Sequence, residues 1–600
     1  TSFSLAVSPA PAVGVTLQEE EEEMLFPWRS RTRWKKWAWR HYQVWRQRYR
    51  RAQKVAGLAR LALRGMVPMA QVVDWLTASQ FRYQLGAWPV LYALLETLNV
   101  RDIINRHCPT QAEVDHGTVA LVLILNRLMF PLPLYQIADW VAQTVLVAVL
   151  GIPAAKFNDD RLERTLDALY PHLEVIWLEV VTIAMQKADI DLSVIFYDLT
   201  AFVAHGRYAD SAFIDHGFAH NTPSNKRKFK LALNTTADGN LPWLYRLWSG
   251  RMADQATVQE NMSQLTRCLQ AQGQAPEQTL VVGDRAMLNA EIVMAYKKTG
   301  LRFLGGLRGR KDLLKVWTDE QFQAFPIVSG PDPQYWGRGC EVTFEHEGRT
   351  VTHKGLVVLA GPLRDQWRQN RQEQLQALQE ELTQVQADIG QPRLRSIKAV
   401  QRRVNSKLRA SKVGKFMQVK VYEPPTGGVN LHWQLDTEAL AQKERLDGRY
   451  LLVTNDWSLS HQQMLQLYRD KDGGEKRFLI SKQDLKVSPI YLHKDRRIAT
   501  MLLLNMLALL AYSLLERQMR QQGLQLTTRQ LIRKLEQLSL IETRCHDGSR
   551  LYRLTPISPE CQHILQLVAS VLNELLQEHF PDQSAPLLPE ISHPQLPARC

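Results

Sequence analysis

Cysteine is scarce in this chain. There are six in 600 residues, Cys108, Cys268, Cys340, Cys545, Cys561 and Cys600, and no two stand at CxxC spacing. The scarcity excludes a zinc-ribbon framework and a disulfide scaffold, and it suits a reducing compartment. A basic region leading into a long apolar stretch is missing from the N-terminal residues, so no secretory signal is expected. Long apolar runs are nearly absent too. The exception is Ile498–Leu515, close to the minimum for a membrane span but interrupted by Thr500, Asn505 and Ser513. With no second comparable span, it reads as a buried core helix, and no membrane partner is expected.

What remains is globular composition: 45% hydrophobic and 22% charged. That excludes a wholly disordered or fibrous chain, and the length implies about three to five domains. Lys and Arg number 74 against 60 Asp and Glu, a net +14 that points to polyanions. The excess has an address. Trp28 to Arg64 holds thirteen Lys or Arg, five Trp and no acid, so the rest of the chain nets 14 − 13 = +1. Within it Arg40, Arg46 and Arg50 would neutralise DNA phosphates, and Trp45 would stack or wedge. A solvated basic face folded onto Glu19–Glu23 and a membrane-surface helix are the alternatives.

Composition and periodicity divide the chain. Residues 1–27 form a disordered tail and 28–74 the basic Trp-rich segment. Residues 75–190 carry apolar positions at helical spacing, a helical domain expected to bind DNA ends, with a weak helix-turn-helix signal at Leu132–Val145. From 191 to 310 the pattern turns mixed: strands at Leu192–Tyr197, Lys228–Thr236 and Leu241–Trp248, a helix from Asp254 (its expected N-cap) to Gln272, a strand at Thr279–Gly283, a helix at Asn289–Thr299 and a strand at Arg302–Gly306. Residues 311–446 interrupt this with a hairpin at Glu341–Leu359 and helices whose Leu375, Leu378, Leu382, Val385 and Ile389 make a coiled-coil-like seam. Residues 393–415 hold nine Lys or Arg and no acid, a face turned to solvent or to DNA. The mixed pattern resumes at 447–520 with a strand at Tyr450–Val453 and one helix from Ser460 to Gln483. Residues 521–600 are a helical region and tail, with helices at Thr527–Leu538 and Gln562–Glu578. The fold class is α/β: a mixed sheet flanked by helices, interrupted by an α+β insertion, with helical additions at both ends.

Three acids stand where chemistry can use them. Asp198 and Asp284 end expected strands (VIFYDLT, LVVGDRA), and Glu475 lies on the helix beyond the interruption. Carboxylates at neighbouring strand ends converge above a sheet, and a crossing helix delivers a third. Such a cluster needs a cation, and hard oxygens suit Mg²⁺. Two ions would activate a water or 3′-hydroxyl and stabilise the leaving oxygen of a phosphodiester. Tyr468, Lys471, Glu475, Phe478 and Lys482 are spaced 3, 4, 3, 4 on one helix face, so Lys471 and Lys482 would hold phosphates beside the scissile bond. Taken singly, each acid is more often a cap or a solvated charge.

In combination these features resemble the DDE transposases of bacterial insertion sequences, in the group whose third acid lies in a helix reading Tyr, two residues, Arg, three residues, Glu, six residues, Lys. Tyr468, Lys471, Glu475 and Lys482 occupy those places, with Lys471 standing for the Arg. FNDDRLERTLDAL at 157–169, Gly250 with Asp254 and Thr257, GDRA around Asp284, DGRYLLVTND at 447–456 and SPIYLHKDRRIATMLLLNMLALL at 488–510 match as well. Further departures are Gly473 and Gly474 before the glutamate, Ala286 after the second Asp-Arg pair, and HNTPSNKRK after the first acid. The resemblance spans roughly 85–520. It implies a ribonuclease-H-like core and a catalytic triad of Asp198, Asp284 and Glu475 holding two Mg²⁺, with Mn²⁺ substituting. It also implies contacts to DNA from Arg285, Tyr468, Lys471 and Lys482, and cut-and-paste transposition by a homodimer on inverted repeats, cytoplasmic and nucleoid-associated. An inactivated copy serving as a DNA-binding protein, and a nuclease on the same core, are the competing readings.

Overall fold

The computed structural model describes residues 79–555, apart from 220, 221, 224, 286, 327–333, 426, 487–491 and 545–549. The tail 1–27, the basic segment with Arg40, Trp45, Arg46 and Arg50, Ala286 and the helix expected at Gln562–Glu578 lie outside the described residues. The chain forms two compact units. The described residues of the smaller, 79–82, 541–544 and 550–553, belong to a three-stranded sheet ordered β1-β13-β14, from β1 (Ser79–Gln84), β13 (Ser539–Arg544) and β14 (Arg550–Leu554). Only helices were expected near 75 and beyond 521. SQFRYQ became a strand because it pairs with SLIETR, far away in sequence, which local periodicity does not register, and RLYRL pairs with SLIETR from close by in the chain.

The larger unit, Tyr83–Leu540, is organised by a nine-stranded sheet. Its strands are β2 (Val194–Val203), β3 (Lys228–Thr236), β4 (Pro242–Ser249), β5 (Leu280–Gly283), β6 (Arg302–Leu307), β7 (Gln323–Phe325), β8 (Tyr335–His346), β9 (Arg349–Ala360) and β12 (Arg449–Thr454). A separate antiparallel pair, β10 (Met417–Tyr422) and β11 (Asn430–Leu435), completes the strands. The order in the large sheet is β4-β3-β2-β5-β6-β12-β9-β8-β7. β2, β5 and β6 run parallel; the remaining neighbours pair antiparallel. The hairpin expected inside the insertion is therefore part of the main sheet. Its second strand ends GLVVLA, buried throughout, and a run apolar on both faces is a central strand.

Helices α1 (Trp88–Thr97), α2 (Val100–His107), α3 (His116–Met129), α4 (Asp159–Leu169) and α5 (Leu173–Lys187) precede β2. Leu132–Val145 folds as a 3₁₀ turn and a short helix, Ile137–Val141, and a second short helix, Leu146–Leu150, follows. α6 (Asp254–Ala271) and α7 (Ala290–Thr299) follow within the mixed region. Asp254 is not the N-cap of α6. That position is Ala253, and the Asp254 carboxylate instead accepts Lys230 Nζ at 2.8 Å. α8 (Gly361–Ala387) and α9 (Ile397–Ala410) pack Leu378, Leu382 and Val385 against Val400 and Val404, with β10 and β11 closing the same apolar cluster through Met417 and Leu431.

After β12 come α10 (His461–Asp470), α11 (Asp472–Gln483), α12 (Asp495–Gln521) and α13 (Thr528–Leu535). The apolar window of α12 lies wholly inside the fold, and each buried Leu or Met there contributes about 1.5–3 kcal/mol. α12 is not unique in length and apolarity. The helical stretch Asp159–Lys187 also passes the measure for a membrane span, and bent helices at His116–Met129 and Leu134–Val141 pass together. The expectation that no second comparable span exists does not hold.

Candidate active site

β2 does not stop at its acid. It continues to Val203 beside β3, and Asp198 is opposite Leu233. What ends there is the partnership with β5: the parallel register closes at Tyr197–Gly283, and Asp198 of β2 and Asp284, just past the end of β5, are the next residues. Adjacent parallel strands lie about 4.8 Å apart, so the register delivers two carboxylates side by side. The carboxylate of Asp198 also accepts the Leu199 N–H at 2.8 Å.

The glutamate arrives on two helices rather than one. Ser460 caps α10 with a complete capping box through Gln463, and the helix breaks at Lys471 before α11 begins. The glycines beyond the break are packing residues. A Cβ on Gly473 would collide with the Asn240 side chain of the β3–β4 turn, and one on Gly474 would sit 3.3 Å from Thr235 Oγ1. The backbone of α11 thereby lies directly on the sheet and brings Glu475 to Asp198 and Asp284.

Lys471 stands at the centre. It is 4% exposed, its ammonium donates to Glu475 Oε1 at 3.2 Å, and its charge acts on Asp198 and Asp284 as well. Burial works against that charge, yet the three carboxylates together raise its pKa. Asp198 shows the reverse stress. Burial foremost pushes its carboxyl up to about 6, Asp284 and Glu475 add to the rise, and Lys471 and the Leu199 N–H oppose it. Negative charge is crowded here beyond what one ammonium relieves.

The other expected residues gather round. Tyr468 Oη donates to Asp284 Oδ1 at 3.3 Å. Arg285 lies 5.3 Å over the Tyr450 ring, and a Cβ on Gly306 would run into both Arg285 and the Tyr468 hydroxyl. The glycine in β6 therefore lets these two side chains cross the strand. Lys482 Nζ donates to Thr200 Oγ1 at 2.6 Å and sits 5.2 Å over Phe202; burial lowers its pKa, with Asp198 opposing. Thr200 and Tyr450 were not singled out from sequence, although YDLT and DGRY contain them.

Other matching motifs prove to be joints. Asp167 of the 157–169 motif receives both Arg496 and Arg497 of the 488–510 motif, at 2.7–3.1 Å, and Thr500 donates to Leu166 O at 2.8 Å. Gly250 lies too close to Asp215 O and Lys228 O for any side chain, and Thr257 accepts the Tyr197 hydroxyl at 2.8 Å. Asp447 is fully buried under Arg371 of α8.

Three carboxylates are the right donors for a hard divalent ion, and the crowding at Asp198 gives such an ion electrostatic reason to bind. Among the described residues, however, no three ligating side chains are already drawn into a coordination shell. The Lys471 ammonium is the cation the acids share, and the Glu475 side chain paired with it is 60% exposed.

Residues 82–178 match a family model described as "Domain of unknown function (DUF4277)". No curated protein matches the chain significantly. Among solved structures, a piggyBac transposase synaptic complex with hairpin DNA aligns at 11% identity and a TM-score of 0.38, covering 76% of this chain and 82% of that one. A pre-cleavage Mos1 transpososome aligns at 12% identity and a TM-score of 0.13, covering 32% and 60%. Neither likeness is close enough to decide function, which is left to the residues.

Proposed function

We propose that the chain is a DDE transposase of the insertion-sequence type, cutting DNA at transposon ends and joining it to a target. The observation that carries this reading is the meeting of Asp198, Asp284 and Glu475 where the parallel pairing of β2 and β5 ends, with Lys471, Lys482, Tyr468 and Arg285 around them. A ribonuclease-H-like core is supported by the antiparallel run β4-β3-β2 continued by β5 and β6 parallel to β2.

In this reading Asp198, Asp284 and Glu475 hold the divalent ions, Mg²⁺ or Mn²⁺. When bound, these supply charge neutralisation and an activated oxygen nucleophile. The chain's own groups do the rest. Lys482, held by Thr200, offers a cation to the phosphate on the Asp198 side. Arg285, steadied on Tyr450, offers a guanidinium fork on the Asp284 side. Tyr468 orients the Asp284 carboxylate, and Lys471 keeps the acids together. We further assign the chain to homodimers on inverted repeats in the bacterial cytoplasm.

Asp198→Asn, Asp284→Asn and Glu475→Gln should each abolish Mg²⁺-dependent cleavage of duplexes carrying the element's ends, while gel-shift binding persists. Undiminished cleavage in all three variants removes the assignment. A second reading, a DNA-binding protein without catalysis, is favoured by the acids being gathered on an ammonium with no ready metal shell. End binding by the wild type without cleavage in either Mg²⁺ or Mn²⁺ selects it.

A further inference from the structure

The basic stretch 393–415 is decided by how α9 packs. Val400 and Val404 face the seam with α8, and Lys407, at the edge of that seam, reaches Glu381 at 2.8 Å. At 100° per residue, Lys398, Arg402 and Arg409 fall within about 40° of one another and roughly 160° from the valines. They form one stripe about 16 Å long on the outer side of the helix, and all three are exposed. Arg393 and Arg395 precede α9 and Lys412 and Lys415 follow it, exposed as well. None of these seven cations makes an ion pair with a described residue.

Such a stripe is costly by itself. Lys398 and Arg402 are an i, i+4 like-charge pair, which destabilises a helix. The acids of α8 lie across the seam and so do not relieve it. The partner it fits is a line of fixed negative charge. A membrane surface fits less well, because an interfacial helix carries apolar residues beside its cations, and the positions flanking this stripe are Asn405 and Ser406.

We infer that the outer face of α9 is a second contact for duplex DNA, gripping the phosphate backbone through Lys398, Arg402 and Arg409 without reading bases. The inference deepens the proposed function and rests on it for the nature of the partner. Each cation that neutralises a phosphate adds about 0.9 to the slope of log K against log salt. The full chain and a Lys398→Gln, Arg402→Gln, Arg409→Gln triple variant are titrated against a random-sequence duplex of about 30 bp, by anisotropy from 50 to 200 mM NaCl. The triple variant should lose about 2.7 from the slope, so its affinity falls about 40-fold less across that range. Its melting temperature should equal or slightly exceed that of the wild type, since the three side chains face solvent and the like-charge pair is removed. Lys407→Gln, which removes a cation already paired, should leave the slope unchanged.

An unchanged slope in the triple variant overturns the inference, as does a wild type that does not bind the duplex. Loss of binding to phosphatidylserine vesicles with an intact DNA slope also overturns it and assigns the stripe to membranes. Asp198→Asn in the same assay keeps the two proposals apart. It should retain the full slope while losing cleavage, so the stripe and the triad fail independently.

Discussion

At the scale of single residues, the site is governed by the balance between three carboxylates and one buried ammonium. The spacing of Tyr468, Lys471, Glu475 and Lys482 was legible because helical period puts them on one face. Its consequence for Lys471 was not. A side chain read as a phosphate holder is instead enclosed among acids, 4% exposed. Asp198 is the sensitive member, raised from 3.8 to about 6. Its folded pKa lies above its unfolded one, so the fold favours the protonated form. The resulting cost is absent below about pH 4, grows through the interval and is complete above about pH 6. Asp198→Asn should therefore raise the melting temperature in EDTA at pH 7.5 but not at pH 4. The gain is at most about 3 kcal/mol, and less because solvent reaches part of the side chain. An equal shift at both pH values would show that the carboxyl is not strained.

At the scale of elements, the helix carrying the glutamate is the instructive case. Apolar period from Ser460 to Gln483 predicts one helix, and its start is marked by the Ser460 capping box. The interruption at Lys471 and the two glycines after it have a tertiary cause. α11 lies so close to the β3–β4 turn that Gly473 has no room for a Cβ beside Asn240. In an isolated helix Gly→Ala gains about 1 kcal/mol. Here Gly473→Ala should destabilise by about 1–3 kcal/mol through the collision with Asn240. Gly474→Ala, 3.3 Å from Thr235 Oγ1, should be near neutral, and Asn240→Gly should rescue Gly473→Ala. Chemical denaturation of the four variants measures all of this; Gly473→Ala with wild-type stability would contradict the packing account.

At the scale of the larger unit, one long-range joint is electrostatic. Arg496 and Arg497 open α12, where the helix dipole disfavours cations. Asp167 of α4 bonds to both, and Glu163 pairs with Arg497. These bonds, Arg497 foremost, lower the Asp167 pKa to about 2. Its stabilisation is therefore present above about pH 4 and lost as pH falls towards 2. Asp167→Asn should cost about 1 kcal/mol at pH 7, because solvent screens the partly exposed pair, and the difference from wild type should nearly vanish at about pH 2. A neutral effect at pH 7 would mean that α12 is held by its apolar packing alone. By itself, the amino-acid order determined the strands of the main sheet other than β7, the positions of the three acids and where the charge lies, because period 2, period 3.6 and charge runs are local properties. Only the tertiary structure decided that the β8–β9 hairpin joins the main sheet, that Lys471 is enclosed by the acids, and that the cations of α9 face outward. Those outcomes depend on which distant segment satisfies each strand edge and covers each apolar stripe, and no local window contains that partner.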